Sequence, residues 1–198
     1  MEGAVPVAGS LIQWLRDNLE FGASATDIAN LAASVPSSEG VRFVPAFNGL
    51  FAPHWREDAR GTICGLTFFH TKAHLARAAI DASSFQVSEV FEAMEIDSGI
   101  ELSTLKVDGG MTVNAQLLQF LANLLGTPVQ QPQVLETTAA GVAYAAGLSC
   151  GVWKSLEQLA DLWVQDKMVD SEITPNARME LKQTWKKAIE RSLGWTEP

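Results

Sequence analysis

Ten residues, Leu105-Lys106-Val107-Asp108-Gly109-Gly110-Met111-Thr112-Val113-Asn114, constrain this chain more than any others. The short apolar run predicts a strand, Asp108-Gly109-Gly110 predicts a sharp turn, and the residues beyond predict a helix. Two adjacent glycines remove the side chains from one patch of backbone, so a flat ring or a phosphate can approach the main chain and positive φ is allowed. A helix N-terminus there presents unpaired N–H groups and the positive end of a dipole. The same triplet also suits a tight strand-to-helix turn that binds nothing, so the decision falls to the rest of the chain.

Apolar residues at Val7, Leu11, Ile12, Trp14, Leu15 and Leu19 recur at helical steps and predict a first helix over residues 7–19. A second is expected over residues 27–35 with Thr26 as its N-cap. Residues 41–45 read as a strand that Pro45 closes, residues 48–60 as a long ordered loop, and residues 62–66 as another short strand. The longest helical pattern covers residues 72–94, with a broad apolar face that includes Leu75, Ala78, Ala82, Phe85 and Phe91. A strand over residues 104–107, a helix over residues 114–125 stopped at Gly126 and an edge strand at Val129 follow. A helix over residues 137–148 carries Ala139, Ala140, Gly141 and Ala143, small residues that predict close packing on another helix or on the sheet. The last helix is expected around residues 176–192. Strands alternating with helices indicate an α/β domain.

The chain has 198 residues, enough to bury a sizeable core. Its 47% apolar and 19% charged residues are those of a globular protein. A net charge of −9 with no basic cluster argues against nucleic acid as a partner. No apolar run reaches the ~20 residues of a membrane span, and the first residues do not resemble a signal peptide, so a cytoplasmic location is expected. Cys64 and Cys150 sit in apolar stretches and are read as buried reduced thiols. His54, His70 and His74 lack metal-ligand spacing, so no metal site is expected in this chain.

The segment Gly61-Thr62-Ile63-Cys64-Gly65-Leu66, followed by His74-Leu75-Ala76-Arg77-Ala78-Ala79-Ile80-Asp81, resembles the C-terminal signature of the FGGY carbohydrate kinases. The neighbouring blocks resemble the glycerol-phosphorylating branch of that family. They include Ile12-Gln13-Trp14-Leu15-Arg16-Asp17-Asn18, Val44-Pro45-Ala46-Phe47-Asn48-Gly49-Leu50, Glu136-Thr137-Thr138-Ala139 and Trp185-Lys186-Lys187-Ala188. The resemblance spans residues 2–195 and implies one domain over residues 1–198. The implied fold is the actin-like, ribonuclease-H-like ATPase fold, in which two lobes close on ATP and substrate. By motif position, Gly9, Gln13, Gly110 and Asn114 are the implied contacts to ATP or ADP. Their chemistry is compatible with that role, because the glycines expose backbone and the two amides offer donors and acceptors to adenine or ribose. Asn114 is equally suited to capping its own helix, and Asp108 is read as fixing the turn through nearby N–H groups.

The family chemistry implied is Mg²⁺-assisted transfer of phosphate from ATP to glycerol, giving glycerol 3-phosphate. Its base, its glycerol contacts and a phosphate-binding Gly-Thr segment lie upstream in the family. The chain is therefore expected to be a C-terminal lobe, inactive alone, with glycerol held through the N-terminal lobe and a homo-oligomer in the full-length form. Phe85-Gln86-Val87-Ser88 departs from the usual Phe/Tyr-Gln-Thr-Arg, His54 replaces the usual aromatic before Trp55, and Ala140 replaces a larger apolar residue. Two alternatives stay open: a lobe of another polyol or sugar kinase of the family, and a stand-alone non-catalytic nucleotide-binding module.

Overall fold

A computed structural model describes residues 3–196. Met1 and Glu2, where the family resemblance begins, and Glu197 and Pro198 at the other end lie outside the described residues. Helix α1 (Gly9–Asp17) packs Leu11 and Leu15 inward, and α2 (Ala25–Ala33) adds Ile28 and Ala32. The cap of α2 is Ser24 rather than the expected Thr26. The Ser24 hydroxyl accepts from the Asp27 N–H at 3.1 Å, and Thr26 already lies inside the helix. A cap must reach the donors of the first turn from a non-helical backbone, and Ser24 has that extended conformation.

Strand β1 (Arg42–Val44) pairs antiparallel with β2 (Thr62–Cys64) across the 48–60 loop. Helix α3 (Lys72–Ser98) is the spine of the domain. Around its N-terminal half nearly every residue is buried, polar ones included, because α1, α2, β1 and α4 all pack on it. The Thr71 N–H donates to His74 Nδ1 at 3.1 Å to fix its start, and Arg77 donates to Asp81 at 2.8 Å one turn along. Burial of such a pair requires mutual compensation.

Strand β3 (Leu105–Lys106) runs through the turn into a 3₁₀ segment (Gly110–Val113) and then α4 (Ala115–Leu125), which returns the chain to β4 (Val129–Pro132). Strands β3 and β4 are parallel, as a strand–helix–strand crossover requires. Strand β4 is the centre of a three-stranded sheet, not the expected edge, because β5 (Gln165–Val169) pairs antiparallel on its far side. Sequence patterning missed β5, whose Gln165, Asp166, Lys167 and Met168 are all exposed and show no apolar alternation. It also missed the short α6 (Leu156–Ala160).

Helix α7 (Pro175–Arg191) closes the core with Trp185, Ala188 and Ile189. The Trp185 ring stacks on Phe85 of α3 at 4.7 Å between centroids, and Phe120 of α4 meets Phe85 edge-on. By contrast α5 (Thr137–Ser149) buries only Gly147, against which Trp153 packs. The close packing expected of its small residues is therefore not made within the described residues, and Val142 is exposed, as are Val113, Val152 and Leu156. The thiols are not both buried either. Cys64 is half-buried on the thin two-stranded sheet, and Cys150, at the end of the uncovered α5, is exposed. No helix among the described residues is long and apolar enough to cross a membrane.

Candidate functional site

The turn after β3 puts Gly109 at φ +87°, a conformation that side chains rarely tolerate, whereas Gly110 is not in the left-handed region. A side-chain carbon added at either glycine would meet no atom within 4 Å, so the backbone here is bare and open. The helix does not open at once as expected. One turn of 3₁₀ helix over Gly110–Val113 intervenes, and α4 starts only at Ala115. Neither the Gly110 nor the Met111 N–H has a hydrogen-bond partner among the described residues.

Asn114 caps α4. Its Oδ1 accepts from the N–H groups of Gln116 at 2.9 Å and Leu117 at 3.2 Å. With the oxygen committed, the Asn114 amide group keeps its two N–H donors, and they make no bond among the described residues. Gly9, at the start of α1, lies across from the corner: a side-chain carbon added to it would sit 3.7 Å from Met111 Sδ. Gly9, Gly110 and Asn114 thus border one region, joined by Met111, which sequence reasoning did not single out. Gln13 lies one turn along α1 from Gly9 and is exposed, with no hydrogen bond among the described residues.

Asp108 does not hold the turn. It is exposed and its carboxylate accepts no hydrogen bond among the described residues. The turn is held from behind instead. Gly109 N–H donates to the Leu135 carbonyl at 3.0 Å, and the Gly109 carbonyl accepts from both the N–H (3.1 Å) and the hydroxyl (2.7 Å) of Thr112. Behind Thr112 stands Gln131 of β4, 2% exposed, which donates from Nε2 to the Thr112 carbonyl at 2.9 Å and to its hydroxyl at 3.1 Å. The available signal for Gln131 was strand parity, since it shares the face of Val129, a core residue. Among the described residues no group of three His, Cys, Asp or Glu side chains is placed to hold a metal ion.

Residues 1–150 match the C-terminal domain of the FGGY family of carbohydrate kinases. The glycerol kinases of Methylorubrum populi and Paenarthrobacter aurescens are 52% and 51% identical over 197 residues. Those alignments take in 100% of this chain but 39% of each relative, so the chain spans about two fifths of the length of these curated relatives. Among solved structures, the glycerol kinase of Plasmodium falciparum with ADP superposes with a TM-score of 0.86 at 35% identity, over 96% of this chain and 38% of that one. A xylulose kinase from Lactobacillus acidophilus superposes with a TM-score of 0.73 at 22% identity, over 92% of this chain and 37% of that one, and shares the fold. The fold class expected from the sequence, one α/β lobe of an actin-like ATPase, is the one these likenesses carry. The chain belongs to the FGGY family of carbohydrate kinases, and its residues 1–150 match that family's C-terminal domain.

Proposed function

We propose that this chain is the nucleotide-binding lobe of a cytoplasmic glycerol kinase, which phosphorylates glycerol to glycerol 3-phosphate when an N-terminal lobe is present. One observation carries the reading. The bare corner at Gly109 and Gly110 faces the start of α1 in a domain that superposes closely on a glycerol kinase solved with ADP. In this reading Gly110 and Gly9 let the adenosine approach the backbone, while Asn114 and Gln13 give their amides to adenine or ribose. The unpartnered N–H groups of Gly110 and Met111 add donors at the same place. ATP supplies the phosphoryl group with Mg²⁺ on its phosphates, and glycerol is held by the other lobe. The uncovered α5 and its exposed Val142 fit a face that a second lobe would shield, and the full-length form is proposed to be a homo-oligomer.

The experiment has two arms. ADP is titrated into the chain by calorimetry, and the chain is fused behind the N-terminal portion of the Methylorubrum populi enzyme and assayed for glycerol-dependent ADP release. Saturable ADP binding and a glycerol-specific fusion are expected. A folded fusion that binds ADP yet turns over no glycerol would overturn the glycerol assignment, and a chain without ADP affinity would overturn the nucleotide site.

A further inference from the structure

We propose that Gln131 is a positioning residue for the nucleotide corner, acting through Thr112 on Gly109. The inference rests on reading that corner as the adenosine-contacting turn, and it starts from the direction of the hydrogen bonds. A backbone carbonyl can only accept, so the group of Gln131 that faces the Thr112 carbonyl at 2.9 Å is its NH₂. The same NH₂ donates to Thr112 Oγ1 at 3.1 Å, which leaves the hydroxyl proton for the Gly109 carbonyl at 2.7 Å. The three groups form a one-way chain, Gln131 to Thr112 to Gly109, that starts at a buried side chain and ends at the half-buried corner. Chains of this kind polarise one another and hold a single geometry.

What they hold is a turn whose other ties are backbone bonds, from the Gly109 N–H to the Leu135 carbonyl and from the Thr112 N–H to the Gly109 carbonyl. Glycine has the widest conformational freedom of any residue, Gly109 and Gly110 carry no side chains to pack, and the Asp108 carboxylate accepts no bond among the described residues. A nucleotide that approaches bare backbone needs that backbone already fixed, since ordering it on binding would cost affinity. Gln131 supplies the fixation from β4, the central strand of its sheet, which is hydrogen-bonded on both sides.

A second observation separates this role from ordinary core packing. Gln131 Oε1 is buried and has no partner among the described residues. An unpaired buried acceptor destabilises a fold, offsetting much of what the two donated bonds contribute. Gln131→Met removes both donors and the orphaned oxygen together at similar volume. Global stability is therefore expected to change little, while the turn loosens.

The test uses the 198-residue chain. Amide hydrogen exchange is followed at Thr112, whose N–H is bonded to Gly109, and at Val107, whose N–H is bonded to the Gln130 carbonyl. ADP affinity and the urea midpoint are measured on the same samples. In Gln131→Met and in Thr112→Val, Thr112 exchange is expected to rise about ten-fold with Val107 unchanged, and the ADP Kd to rise about five- to ten-fold, as the loss of two hydrogen bonds from a local opening equilibrium implies. The double variant should be no worse than either single one, because the residues act in series. Thr112→Ser, which keeps the hydroxyl, should behave as the parent. Unchanged Thr112 protection overturns the proposal, and so does ADP affinity that falls only in step with the urea midpoint. A parent chain that binds no ADP overturns the reading of the corner, and the exchange arm still reports by itself whether Gln131 holds the turn.

Discussion

Substituting the two glycines of the corner separately should divide fold from binding. At Gly110 the backbone is outside the left-handed region and an added side-chain carbon meets no atom within 4 Å. Gly110→Val thus places its methyl groups in open space. The fold should shift by no more than about 1 kcal/mol, because nothing is displaced and a stiffer unfolded chain favours the native state. A nucleotide lying against that backbone is in the way, however. Forcing a branched side chain into an occupied contact costs about 1–3 kcal/mol, which is about a five- to hundred-fold rise in the ADP Kd. Gly109→Ala is the mirror case. Its φ of +87° resists any Cβ, at about 1–2 kcal/mol, so it should lower stability and affect ADP binding only as far as the turn relaxes. Urea denaturation gives the first quantity and calorimetric titration with ADP gives the second. The reasoning fails if Gly110→Val keeps ADP affinity within about two-fold of the parent, or if it unfolds the domain more than Gly109→Ala does.

Trp185 is 3% exposed and stacked on Phe85, yet its indole N–H is buried without a partner among the described residues. Trp185→Ala should cost about 3–5 kcal/mol in urea denaturation. Trp185→Phe, which also removes the orphaned donor, should cost well under half of that, and equal losses would refute this account. His54 ties the 48–60 loop to α3 through Glu89 at 2.9 Å, and that hydrogen bond, aided by the charge, holds the imidazole pKa above its ordinary value. The stabilisation is full below about pH 6.5 and is lost as pH rises through the raised folded value. Glu89→Gln should flatten the loss of stability as pH rises above about 6.5, and an unchanged profile would count against the pair. Gly126 ends α4 at φ +73°, with the Arg178 guanidinium against the place a Cβ would occupy. Gly126→Ala should therefore cost more than about 1 kcal/mol, and part of that cost should vanish in the Arg178→Ala background, which a double-mutant cycle measures.

Much of this domain was legible before any coordinates, for local reasons. Helix α3 announces itself by its apolar face, and Gly126 marks a boundary through its own backbone preference. The signature from Gly61 to Asp81 and the bare corner at Gly110 are runs of consecutive residues, and the family was readable from them. Cap identity was less secure. Ser24 and Thr26 are chemically alike, and only the extended backbone at residue 24 separates them.

The chain by itself marked the longer helices and the two glycines that leave the backbone open after β3, and the family resemblance implied that Gly9 and Asn114 belong near that corner. Tertiary structure alone decided that β4 lies at the centre of its sheet, that α5 stays uncovered, and that Gln131 reaches Thr112 from 19 residues away. The physical reason is range. Periodicity, capping and turn chemistry act within a few residues, whereas the exposed polar residues of β5 leave no local trace of the strand they pair with. A buried hydrogen bond between β4 and the corner likewise exists only once the crossover through α4 has brought them together.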